Sequence, residues 1–217
     1  MTWSKQAWNA AEPTYTRILD LEFVRGLIDG SLSMERFMFY IEQDALYIAE
    51  FGKVLAGIAS KLDRTADRAS FLSFAGDCIV AEEALHSSYL EKNPTTASVE
   101  PTPTCLLYTS YLLKQLHQGP LPVAMASVLP CFWVYKEVGK HIAANQTKDG
   151  NPFQAWIDTY SDAAFEAAVE RAIDACNTAA ERCTPSERSA MTAAYVLCTK
   201  MEWMFWDSAW KLESWPI

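Results

Sequence analysis

The chain has 217 residues, half of them hydrophobic, which suits one domain spanning 1–217 with a full core rather than a disulfide-stapled miniature. Its net charge is −9 with lysines and arginines scattered, which argues against a phosphate-tracking surface and hence against nucleic acid as a partner. The N-terminus "MTWSKQAWNAAEP" has no apolar leader core, none of the six cysteines forms a CxxC pair, and the apolar run over 121–134 is short and interrupted by prolines, so a cytoplasmic protein without a membrane partner is expected.

No segment alternates apolar and polar residues between turn signals, so the expected fold class is all-α, an antiparallel helical bundle. One or two short helices come first. In "GSLSMERF", Ser33 marks the N-cap of a helix over about 34–61. Along it Phe37, Tyr40, Asp44, Tyr47, Phe51 and Leu55 recur three and four residues apart, so they share one face and Asp44 sits in the middle of an apolar stripe. A carboxylate there costs several kcal/mol unless something inside the bundle answers it. A structural ion pair and an internal site both meet that need.

A second helix is expected over about 66–92. It carries "EEALH", with Glu83 and His86 spaced i, i+3, the Glu-x-x-His spacing of di-iron bundles. No second copy occurs; Glu137 and His141 are i, i+4 instead, so the expectation is no metal, with a hydrogen-bonded Glu/His pair as the simpler reading. The break "EKNPTTASVEPTPT" follows, and Thr102–Pro103 opens a helix over about 103–117 with Tyr108 and Tyr111.

The next helix, about 121–145, contains "VLPCFWVYKEVG". Cys131 and Tyr135 are four apart and share a face, and Pro130 removes one backbone hydrogen bond beside the sulfur, kinking the helix or marking a break near its start. A thiol in an aromatic slot is inert unless a base or hydrogen-bond partner lies close. Asn151–Pro152 opens a short helix over about 152–160 that ends at Tyr160, and another follows over about 162–182. The last helix, about 186–212, begins with a capping box of Thr184, Pro185 and Glu187. Tyr195, Cys198, Glu202, Phe205 or Trp206, and Ala209 form its stripe, and burial of Glu202 would raise its pKa toward neutrality, as general acid/base work requires. Two inward acids and several tyrosines on different helices suit a pocket for one flat heteroaromatic. Trp3, Trp8, Trp203, Trp210 and Trp215 read as exposed aromatics at an oligomer interface.

In order along the chain, "FYIEQDALYIAEF", "EEALHSSYL", "LLYTSYLL", "VLPCFWVYKEVG", "PFQAWIDTYSDAAF" and "MEWMFWDSAW" resemble the TenA family, also called thiaminase II, over nearly the whole length. The resemblance implies a haem-oxygenase-like bundle, a homotetramer, and a hydrolase of thiamin salvage that converts 4-amino-5-aminomethyl-2-methylpyrimidine to the hydroxymethylpyrimidine with release of ammonia; many members also cleave thiamin. It implies Cys131 as nucleophile, Glu202 as acid/base, Asp44 as the carboxylate that pairs with the ring's amino group and nitrogen, Tyr108 and Tyr160 as hydrogen-bonding phenols, and Tyr47 and Tyr135 as stacking or positioning residues. The thiol after Pro130 resembles the family's cysteine-containing branch, while Ala45 departs from the aromatic-rich form that usually follows the aspartate. No metal or organic cofactor is implied. A di-iron oxidase using Glu83 and His86, and a pyrimidine-binding regulator without turnover, are the alternative readings; family members have been described as enhancers of secreted-enzyme production.

Overall fold

In the computed structural model, residues 1–85, 99–147 and 149–217 are described, with the side chains of 81–85 outside that description. Every regular element among them is a helix: α1 Trp3–Leu19, α2 Glu22–Asp29, α3 Met34–Lys61, α4 Thr65–Leu85, α5 Pro103–Gln118, α6 Leu121–Asn145, α7 Gln154–Ser161, α8 Ala163–Glu181 and α9 Pro185–Lys211. The helix expected over 66–92 is thus described only to Leu85.

The caps explain most starts. Ser33 Oγ accepts from Arg36 N, Thr102 Oγ1 from Cys105 N, and Thr184 Oγ1 from Glu187 N, whose own carboxylate accepts from Thr184 N to complete the capping box. Each satisfies donors that the first helical turn would leave open. Asn151 behaves differently from the expected N-cap. Its Oδ1 accepts from Phe153 N at 2.9 Å while its Nδ2 donates to the Leu27 carbonyl at 2.7 Å, so it ties the end of α2 to a turn, and α7 starts two residues later than the Asn-Pro signal suggests. Of the two readings open for Pro130, the break is not found: α6 runs unbroken from Leu121 to Asn145 through it.

Helices α3, α6 and α9 form the centre. α4 and α5 pack on α3, α1 lies along α9, and α7 and α8 cover α6. α6 is long and apolar enough to cross a bilayer by length and composition, but 72% of its most apolar window is buried by its neighbours, which is the setting of a core helix. The buried residues form one continuous cluster running through all of these contacts.

The tryptophans are a correction. Trp3 is 5% exposed and its Nε1 donates to Thr192 Oγ1; Trp8 is half-buried and stacks on Trp133; Trp210 lies beneath the Arg36 guanidinium. Of the five expected at the surface, only Trp215 is exposed, at 43%. α1 docks on α9 with the Trp3 ring against it, a use that the local sequence around Trp3 does not show. The exposed apolar side chains are largely aliphatic instead, among them Leu72, Ile79 and Val80 on α4 and Leu106 and Leu107 on α5.

Candidate active site

Between α3, α4, α6, α7 and α8 lies a cavity of about 720 Å³. Asp44, Cys131, Tyr135 and Tyr160 line it, with Phe51, Phe74 and Phe132 forming an aromatic wall. Glu202, Tyr108 and Tyr47 are not part of that lining, and neither is Tyr111.

Helix geometry places each group. Asp44 follows Tyr40 by one turn of α3 and precedes Tyr47 by one, so the stripe that builds the core also turns this carboxylate inward. Gln43, its neighbour, fixes the entry of α5: its Oε1 accepts from Thr102 N at 2.9 Å and its Nε2 donates to the Glu100 carbonyl at 3.0 Å. With the start of α5 held there, Tyr108 reaches α9, and its hydroxyl donates to Glu202 Oε1 at 2.6 Å. Glu202 is 1% exposed. The Tyr47 ring lies 4.9 Å from that of Tyr108 and 5.3 Å from that of Phe51.

Burial makes both acids hold their protons. It pushes Asp44 up to about 7. Burial likewise pushes Glu202 up to about 8; the hydrogen bond from Tyr108 pulls it back in part, and the Asp44 charge adds to the rise. The Cys131 thiol is driven well above its usual value, first by burial and then by the Glu202 charge, with a neighbouring Tyr47 hydroxyl working in the opposite direction. That hydroxyl is itself buried and closes no hydrogen bond of good geometry. The sulfur and both carboxyls therefore act on one another within one poorly solvated region.

The phenols form a second layer. Tyr135 and Tyr160 lie 5.0 Å apart, ring to ring, and the Tyr135 hydroxyl is 3.3 Å from that of Tyr40, a fully buried residue behind the wall. Tyr40 belongs to the Asp44 stripe, so its inward aim is legible in the sequence, but its bond across to α6 is not. Trp206 packs 4.8 Å from Tyr135, and Phe205 5.7 Å from Tyr47. Cys78 on α4 is a further lining residue that sequence reasoning missed, and no motif marks it. His86 and the side chain of Glu83 lie outside the described residues. Glu137 is engaged by Lys136 Nζ at 3.0 Å and by Trp133 Nε1 at 3.2 Å.

The sequence profile of the TENA/THI-4/PQQC family matches residues 8–212. The chain belongs to this family. Among curated relatives, the TENA/THI-4/PQQC chain is 34% identical to the thiamine biosynthesis multifunctional protein ThiED of Corynebacterium efficiens over 95% of its own length but only 28% of that protein. It is 30% identical to the aminopyrimidine aminohydrolase of Bacillus subtilis over 99% of its length and 92% of the relative's. The solved TenA homologue of P. horikoshii OT3 superposes with a TM-score of 0.87 at 23% identity, covering 97% of this chain and 99% of that one. A Shewanella denitrificans domain described as having a heme oxygenase-like fold superposes at 0.70 with 15% identity, covering 98% and 93%. At those identities the structures speak for fold alone, and the fold of this TENA/THI-4/PQQC member is the haem-oxygenase-like helical bundle.

Proposed function

We propose that the protein is an aminopyrimidine aminohydrolase of thiamin salvage, acting on 4-amino-5-aminomethyl-2-methylpyrimidine with release of ammonia, and that thiamin is a second substrate. The observation that carries the reading is the meeting of Asp44, Cys131, Tyr135 and Tyr160 in one aromatic cavity of a chain that matches a relative of that name over 99% of its own length and 92% of the relative's.

In this reading the Cys131 sulfur adds to an electron-poor carbon of the pyrimidine while the thiol proton passes to the ring nitrogen beside Asp44, from which the sulfur recovers it on leaving. The ring electrons then expel the exocyclic amine, which takes a proton from Glu202. Glu202 next removes a proton from water, the hydroxide joins the exocyclic methylene, and the carbon–sulfur bond breaks to free the thiol. Asp44 bonds the amino group and ring nitrogen and stabilises the protonated ring. A side chain whose pKa is about 8 suits both halves of the Glu202 role, because it gives and regains a proton near neutrality. Tyr108 holds that carboxyl in place, Tyr160 offers its phenol to the substrate, and Tyr47 and Tyr135 position the ring. No metal or organic cofactor enters these steps.

The test is ammonia release from the aminomethylpyrimidine. Cys131→Ser is expected to lower kcat on the order of 100-fold or more; an unchanged rate would remove the sulfur from the mechanism, and no turnover of any aminopyrimidine would remove the function. The reading extends to a cytoplasmic homotetramer that takes this small molecule and neither nucleic acid nor membrane. Its six free thiols suit a reducing compartment, and the aliphatic surfaces of α4 and α5 suit association. Light scattering at four times the chain mass is the expected result.

A further inference from the structure

We propose that Gly139 is a positioning residue for this chemistry: by letting the backbone of α7 approach α6, it sets how far the Tyr160 phenol stands from the Cys131 sulfur. The inference rests on the aminopyrimidine reading for what that distance does, and on geometry alone for the distance itself.

Cys131, Tyr135 and Gly139 follow one another at intervals of four along α6, so they occupy one face over successive turns. The first two line the cavity. Gly139 is buried where α7 crosses, and a Cβ built there would lie 2.7 Å from Tyr160 Cβ, 2.7 Å from its carbonyl oxygen and 2.8 Å from its carbonyl carbon. These are main-chain and stem atoms, which no rotamer change can move aside. Gly57 makes the contrast: a Cβ there would meet the methyls of Leu116 at 2.5 and 3.0 Å, the far end of a flexible side chain. At Gly139, then, any side chain moves the backbone of Tyr160 itself.

Tyr160 stands near the C-terminal end of an eight-residue helix. Its ring contacts Tyr135 at 5.0 Å, Trp156 at 4.6 Å and Phe165 at 5.4 Å, so the phenol moves with its backbone rather than independently. The face of α6 that presents the sulfur thus also carries the notch that locates its phenolic neighbour. A displacement near 1 Å is enough to cost about 100-fold in a reaction that depends on alignment.

The experiment compares Gly139→Ala, Tyr160→Phe, their combination and Gly57→Ala with the aminomethylpyrimidine as substrate. Gly139→Ala is expected to lower kcat/KM by about 10- to 100-fold. Its further effect in the Tyr160→Phe background is expected to be within about twofold, because it acts through a phenol already absent. Gly57→Ala is expected to keep wild-type kinetics. Wild-type kcat/KM in Gly139→Ala overturns the proposal, as do losses that multiply in the combined variant. Incorporated 3-fluorotyrosine gives a second readout without substrate: the Tyr160 resonance, assigned by its disappearance in Tyr160→Phe, shifts in Gly139→Ala if α7 has stepped back. An unmoved resonance, or a variant that loses its helical fold, overturns the placement. Wild-type protein inactive on aminopyrimidines would reject the functional reading, and the fluorine resonance would still decide the role of Gly139.

Discussion

Glu202 is the residue whose proton matters most; burial sets it first, and Tyr108 and Asp44 adjust it in opposite directions. With its pKa pushed up to about 8, it is largely protonated at neutral pH, so in the proposed reaction it begins as the acid and kcat/KM falls with rising pH through about 8. The hydrogen bond from Tyr108 lowers that value, so Tyr108→Phe is expected to move the alkaline limb to higher pH as well as slow the reaction; a pH profile of kcat/KM checks both. Cys131 presents the opposite problem. Its thiol is held neutral by burial and by the acids around it, so the resting protein is expected to alkylate at Cys131 at least about tenfold more slowly than free glutathione at pH 7, as mass mapping after iodoacetamide treatment would show. The inward aim of Asp44 and Glu202 is legible because each interrupts an apolar stripe of fixed period. Their company is not. Tyr40 bonds to Tyr135 from ninety-five residues away, and Gly139 has no side chain to advertise its contact. Trp3 shows the reverse failure, since its polar neighbours suggest exposure while α9 covers it.

At the scale of the helix, local chemistry and catalytic placement are separable, and α9 shows it best. Its N-terminus is closed by the Thr184–Glu187 capping box, whereas Glu202 projects from it nearly five turns further on. Thr184→Ala is expected to destabilise the fold by about 1 kcal/mol, measured by urea unfolding, while kcat stays within about twofold of wild type. A large loss of activity without loss of stability would mean that the cap reaches the site by a route the contacts do not contain. Helix starts are readable in the sequence wherever one residue both caps and begins the helix, as at Ser33, Thr102 and Thr184. They are less readable at Asn151, whose amide is shared between its own turn and the Leu27 carbonyl on another helix. The break that Pro130 allows, as the alternative to a kink, does not form, for a related reason. The ring removes one N–H, but burial of the surrounding turn against neighbouring helices carries α6 through it.

For the whole molecule, the site exacts a pH-dependent cost that its own acids make measurable. Asp44 rises from 3.8 to about 7 and Glu202 from 4.5 to about 8 on folding, so between about pH 4 and 8 the folded state holds protons that the unfolded chain releases. Their stabilising contribution is fully present below the unfolded values and is lost as pH rises through the folded ones. Each tenfold gain in proton affinity on folding corresponds to about 1.4 kcal/mol, and the two carboxyls influence each other, so together they should remove on the order of several kcal/mol between about pH 4 and 8.5. The net charge of −9 works in the same direction, since self-repulsion grows as the remaining acids ionise. Asp44→Asn with Glu202→Gln separates the two effects by deleting the buried titration while changing the surface little. Urea unfolding at about pH 5.5 and 8.5 should show the double variant more stable than wild type at the higher pH and much less sensitive to the change. Should it keep the wild-type slope, the two carboxyls would have to be hydrated in the folded protein, and groups that wet could not hold either proton at the pH where the proposed chemistry uses it.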